Sequence, residues 1–253
     1  MSSISWVPLE SDPQVLTDWA KKAGLATRQY AFSDIFGLDE GLLAMVPRPV
    51  QAVLLVFPIT DALETARKEV DARISVEGGQ PAVDPTIIFI KQTIGNACGT
   101  IALLHAILNT EVTLGPGSAL SKFQDAVMNK TPTERGKLLE QTSIFATIHS
   151  EMAKQGQSEI PRDNKTDLHY VAFVLAPEPP AGDTTGQEAR TDSPGLRLIE
   201  LDGRRPVPVD HGPAEEGSLL EAVANVVKET YVGKSSSLQF SMIALAPPPP
   251  DDF

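Results

Sequence analysis

Apolar positions fall into two kinds of run along this chain. Residues 50–57 and 86–90 are continuous apolar runs of strand length, the second introduced by Pro85. Such runs predict strands buried on both faces. Residues 168–175 and 196–201 are also β-like, and 238–245 read as a last strand. Residues 205–209 predict a short strand, confined to an edge by Pro206 and Pro208. Helical spacing begins at Pro13, with Ser11 or Asp12 as the cap and Gly24 as the stop. Asp39 opens a short helix ending near Met45, and residues 62–76 form a helix with a charged face. Residues 98–109 form an apolar helix with no charged face, which predicts a central, fully buried element. Further helices are predicted near 118–128, 132–141, 143–153 and 216–231. Thr131 and Glu134 form a capping box, with Pro132 at the first helical position.

Three stretches break the pattern. Residues 155–167 are polar with almost nothing to bury, the composition of a lid, a binding loop or a disordered segment. Residues 176–195 are rich in Pro, Gly, Thr and Asp and predict a surface insertion. Residues 247–253 predict a disordered tail. No repeat and no linker divides the rest, so residues 1–246 are expected to form a single α/β domain of the α+β type.

Composition narrows the function classes. Of the 253 residues, 42% are hydrophobic and 21% charged, an ordinary globular balance. The longest apolar run is too short to cross a bilayer, so no membrane is expected. Met-Ser-Ser-Ile-Ser-Trp lacks the pattern of a secretory signal, which points to the cytosol or nucleus. A net charge of −12 disfavours nucleic acid and suits a basic partner. A single cysteine excludes internal disulfides and zinc sites built on several thiolates. No cofactor or metal is expected, and the chain is expected to be a monomer.

That cysteine has an unusual setting. A buried strand is predicted to end near Lys91-Gln92, a turn with Gly95 and Asn96 follows, and an apolar helix starts at or just before Cys98. Asn96 is a natural cap. The unpaired N–H groups of a helix start favour an anion, so a thiolate there is stabilised. The same groups can donate to an oxyanion formed at a carbonyl under attack. Gln92, at the end of the strand, could aim its amide at the same place. Otherwise Cys98 is a small residue packing a helix start, and Gln92 a polar residue leaving a strand.

A thiolate nucleophile needs a base. His105 lies about 10 Å of helical rise from Cys98, which makes it a satisfied core histidine. His149 sits on a largely polar stretch and is expected to face solvent. His211 is expected in a turn, beside Gly212 and Pro213. His169 heads an apolar strand, where an imidazole needs a reason to be tolerated. If 168–175 and 196–201 form an antiparallel hairpin, the start of one faces the end of the other. His169 then falls near Asp202, on the same face. Such an Asp would orient the imidazole, although Leu-Asp-Gly is also ordinary turn chemistry.

These segments resemble the ubiquitin C-terminal hydrolase family (peptidase family C12), in its short single-domain form. The resemblance rests on Gln92-Thr93-Ile94-Gly95-Asn96-Ala97-Cys98-Gly99-Thr100, on Leu168-His169-Tyr170-Val171-Ala172 and on Glu200-Leu201-Asp202-Gly203-Arg204-Arg205-Pro206. It extends to Trp6-Val7-Pro8-Leu9-Glu10, Met45-Val46-Pro47-Arg48-Pro49-Val50, Phe57-Pro58-Ile59-Thr60 and Ile243-Ala244-Leu245. It implies a papain-like cysteine hydrolase, with a central mostly antiparallel sheet flanked by helices and a knotted backbone. Cys98 would attack, His169 exchange the proton, Asp202 orient His169, and Gln92 help bind the oxyanion. The implied reaction cleaves small or flexible adducts from the C-terminal glycine of ubiquitin through an acyl-enzyme. The implied substrate contacts are Leu9, Glu10, Asp34 and Asn96. A crossover loop would span residues 150–167, and the insertion at 176–195 departs from the short members. Two other readings share the resemblance: the same chemistry on a ubiquitin-like modifier, or a ubiquitin-binding regulator with little turnover.

Overall fold

The computed structural model describes residues 4–76, 78–156, 166–179 and 195–248. Its centre is a six-stranded sheet in the order β1-β6-β2-β3-β4-β5, with β1 Ala31–Asp34, β2 Ala52–Pro58, β3 Leu168–Pro177, β4 Leu196–Leu201, β5 Val209–Ala214 and β6 Ser241–Ala246. Every neighbouring pair is antiparallel. All of β2 is buried, as its unbroken apolar run requires. Alternate residues serve opposite faces. Leu54 and Val56 join Tyr170, Ala172 and Ile243 in one core, while Val53, Leu55 and Phe57 join Val171, Phe173 and Ala244 in the other.

Helices α1 Pro13–Ala23, α4 Cys98–Leu108, α5 Ala119–Val127 and α7 Ser143–Met152 contribute to the first core. Helices α2 Glu40–Leu43, α3 Asp61–Ile74 and α8 Leu219–Val226 contribute to the second. Helix α6 Pro132–Gln141 adds Leu139 to the first. The predicted ends of α1 and α6 hold. Asp12 accepts from Val15 N at 2.9 Å, and Gly24 closes α1 in the left-handed conformation. Both bonds of the Thr131–Glu134 capping box form. All eleven residues of α4 are buried.

Four expectations need correction. Residues 87–90 are buried, but the expected stretch 86–90 forms no strand. Their backbone is satisfied by side chains instead. Asn109 Oδ1 accepts from Ile88 N at 2.6 Å, His105 Nε2 accepts from Ile90 N at 2.8 Å, and Arg135 donates to the carbonyls of Ile87 and Phe89. The edge strand runs Val209–Ala214 rather than 205–209, because residues 203–207 turn, with Arg205 N donating to Asp202 O at 2.9 Å. His211 therefore lies in a strand and not in a turn. The helix expected over 216–231 is α8 followed by a π-helical turn, Val227–Tyr231.

The central part of the expected crossover loop (157–165), most of the insertion (180–194) and the end of the tail (249–253) lie outside the described residues.

Candidate active site

Cys98 is the first residue of α4. The turn before it places Asn96 at φ 57° and leaves Ala97 as a cap with no side-chain bond. Asn96 is thus not the side-chain cap expected of it. Its Nδ2 donates to Trp6 O at 3.0 Å and to Ser5 Oγ at 3.4 Å. The N-terminal segment lies along this turn, with Trp6 N donating to Gly95 O and Gly95 N to Ile4 O.

His169, near the start of β3, is 2% exposed, and its Nε2 lies 2.7 Å from Asp202 Oδ1. The sulfur of Cys98 interacts with the same ring, and each favours the charged form of the other. Asp202 follows β4 directly. The observed register pairs Ala172 with Leu201, so Asp202 falls opposite Val171, two places from the expected partner. Two places preserve the face, because strand side chains alternate. Asp202 Oδ1 also accepts from Arg204 N at 2.8 Å, which fixes the carboxylate within its own turn.

The charges of this line support one another. Burial alone would raise the thiol's pKa, but the hydrogen bond and charge of His169 and the amides of Tyr170 and Gly99 hold it below its ordinary value. Burial alone would lower that of His169, but Asp202, with the sulfur, pushes it up to about 9. Asp202 is held well below the usual carboxylate range against its own burial, by His169 first and then by Arg204 N–H and Arg205. Each shift favours the charged form: a thiolate beside an imidazolium, with an ionised carboxylate behind it.

Gln92 is adjacent. Gln92 N donates to Gly203 O at 2.9 Å, so the segment before the nucleophile and the segment after Asp202 touch. A Cβ on Gly203 would lie 3.1 Å from Gln92 Cβ, which explains the small residue there. Gln92 Nε2 donates to Ile94 O at 3.2 Å and keeps a second amide hydrogen. His105 joins the same parts. Its Nε2 accepts from Ile90 N and its Nδ1 meets Leu201 O at 3.2 Å. Burial pushes its pKa down to about 4, so the ring is neutral, as a core histidine should be.

A cleft of about 400 Å3 opens onto Cys98, with Leu9, Glu10, Asp12, Asp34 and Tyr170 in its walls. Leu9 is buried, and its carbonyl accepts from Tyr170 Oη at 3.0 Å. Burial, and then Asp12, raises the pKa of Asp34. Three of the four expected substrate contacts therefore share one acidic cleft. Asn96 is turned toward the N-terminal segment.

Sequence reasoning missed several residues around the site. His149 is 1% exposed rather than solvent-facing. Phe145, Ile148 and Met152 are buried on the same helix, and His149 lies on their stripe at the four-residue step, a spacing that could have revealed it. Behind Asp202 lies a buried ion network. Arg205 Nε meets Glu200 Oε1 at 3.1 Å, its Nη1 meets Asp71 Oδ1 at 2.6 Å, and Glu200 Oε2 meets His211 Nε2 at 2.8 Å. Glu200→Ala would leave the Arg205 charge short of a partner in the interior. It is expected to destabilise the fold by about 3 kcal/mol, read from urea unfolding midpoints. A change below about 0.5 kcal/mol would show that Asp71 suffices.

Comparison with known proteins gives the family. The family model described as "Ubiquitin carboxyl-terminal hydrolase, family 1" matches residues 6–231. Ubiquitin carboxyl-terminal hydrolase 3 of Arabidopsis thaliana is 37% identical over 247 residues, covering 97% of this chain and 95% of that protein. Ubiquitin carboxyl-terminal hydrolase isozyme L1 of Homo sapiens is 35% identical over 240 residues, covering 94% and 96%. The catalytic domain of Trichinella spiralis UCH37, solved bound to ubiquitin vinyl methyl ester, superposes with a TM-score of 0.70 at 22% identity over 97% of each chain. That likeness concerns the fold. With nearly the whole chain matched by the family model, and relatives above one third identity along almost their full length, the protein belongs to the ubiquitin carboxyl-terminal hydrolase family 1 of cysteine peptidases.

Proposed function

We propose that this protein hydrolyses the bond after the C-terminal glycine of ubiquitin, through an acyl-enzyme on Cys98. The observation that carries the reading is the buried line of Cys98, His169 and Asp202 at a helix start, opening onto an acidic cleft. The thiolate attacks the glycine carbonyl. Backbone amides at the start of α4 stabilise the oxyanion, and the second amide hydrogen of Gln92 adds to them. His169, already protonated, gives its proton to the departing amine or hydroxyl. It then takes a proton from the water that attacks the thioester, and the thiolate leaves. Asp202 holds the ring in place and stabilises its charge. Glu10, Asp12 and Asp34 suit a basic, extended tail in the cleft.

This reading treats residues 1–246 as one catalytic unit, acting as a monomer in the cytosol or nucleus. A single sheet shared by both cores supports the single unit.

The test is labelling by ubiquitin vinyl methyl ester, run in parallel with the same electrophile on ubiquitin-like modifiers. Stoichiometric labelling by the ubiquitin probe is expected. Preferential labelling by a ubiquitin-like probe would move the substrate to that modifier. Tight ubiquitin binding with no labelling and no turnover would make the protein a regulator.

A further inference from the structure

The N-terminal segment forms one wall of the cleft, and a buried histidine outside the catalytic line fastens it. His149 Nδ1 meets Thr100 Oγ1 at 2.9 Å, and its Nε2 meets Val7 O at 2.5 Å. The Trp6 ring packs 4.6 Å from the imidazole. Thr100 lies two residues beyond the nucleophile, and Val7 directly precedes the cleft residues Pro8, Leu9 and Glu10. Leu9 is packed close to α4, since a Cβ on Gly99 would lie 3.0 Å from Leu9 Cβ. Helix α7, which carries His149, is followed by Ala153 and Gly156, which also line the cleft, and Glu10 lies against Gly156.

We propose that His149 is a positioning residue for substrate binding: it fastens the 6–10 wall to the nucleophile's helix and to α7, and so sets the width of the cleft. The inference rests on the reading of this cleft as the substrate site. A neutral ring meets both demands, donating from Nε2 to the carbonyl and accepting at Nδ1 from the hydroxyl. Burial holds the pKa of His149 below its ordinary value, which keeps the ring neutral.

The test compares His149→Leu, His149→Gln and Thr100→Val in hydrolysis of a fluorogenic ubiquitin C-terminal amide. Cys98 alkylation by iodoacetamide is followed against pH in the same variants. His149→Leu is expected to raise KM about tenfold, the loss of roughly one buried hydrogen bond, while kcat changes less than about twofold. Thr100→Val shifts KM the same way by a smaller factor. His149→Gln, which keeps a donor for Val7 O, recovers most of the loss. The alkylation profile stays that of the wild type, because the sulfur and its partner are untouched. Unchanged KM in folded variants overturns the inference. So does an alkylation profile that moves with the loss, which would place His149 on the sulfur. If His149→Leu does not fold, Thr100→Val decides alone. Wild type that neither hydrolyses the amide nor is labelled by the ubiquitin probe would overturn the reading of the site itself, a separate result.

Discussion

Cys98→Ala is expected to lower hydrolysis of a ubiquitin C-terminal amide by a factor on the order of 10⁴–10⁶. No second thiol exists to replace it. The helix amides and the cleft would remain, so the residual rate reports binding and oxyanion stabilisation without a nucleophile. Alanine fits the space of a small residue that is 7% exposed, so folding and ubiquitin affinity should persist. Calorimetry of ubiquitin binding and turnover on the same preparation check this. A variant that keeps activity within tenfold of wild type would remove the sulfur from the mechanism.

The second large effect belongs to His169→Ala, with turnover expected to fall by about 10³–10⁴. Its sign on pH is equally diagnostic. In the wild type the thiol titrates below its ordinary value, so alkylation by iodoacetamide sets in at lower pH than for a free thiol. Hydrolysis should decline on the alkaline side near pH 9, as the imidazolium loses its proton. Without the ring, burial is left to act on the sulfur with less opposition. The alkylation curve then moves to higher pH, to or beyond the free-thiol value of about 8.5. An alkylation curve that stays in place would show that the helix start alone ionises the sulfur.

The sequence was most legible where local chemistry decides the structure. Asp12, Pro13 and Gly24 bound α1, and the Thr131–Glu134 box opens α6. The catalytic line was legible because a glycine-bearing turn leads into an apolar helix at Cys98, and because Asp202 follows the strand that pairs with that of His169. Burial was also legible, but partnership was not. Of the run 86–90, residues 87–90 are interior, yet their hydrogen bonds go to Asn109, His105 and Arg135, side chains distant in sequence. The ion network behind Asp202 was hidden for the same reason. Asp71 and Arg205 are far apart along the chain and look, one at a time, like solvated surface charges. Asp12 shows a further limit: it reads as a cap, and the structure also gives it a place in the cleft wall.

Strand β6 lies between β1 and β2, although it is the last of the six to be synthesised. Until residues 241–246 have left the ribosome, those two strands each present an open edge. Cys98, His169 and Asp202 are all made earlier, yet the layer that supports them stays divided until β6 emerges. A nascent chain should therefore acquire hydrolytic competence late and abruptly, as a consequence of strand order alone.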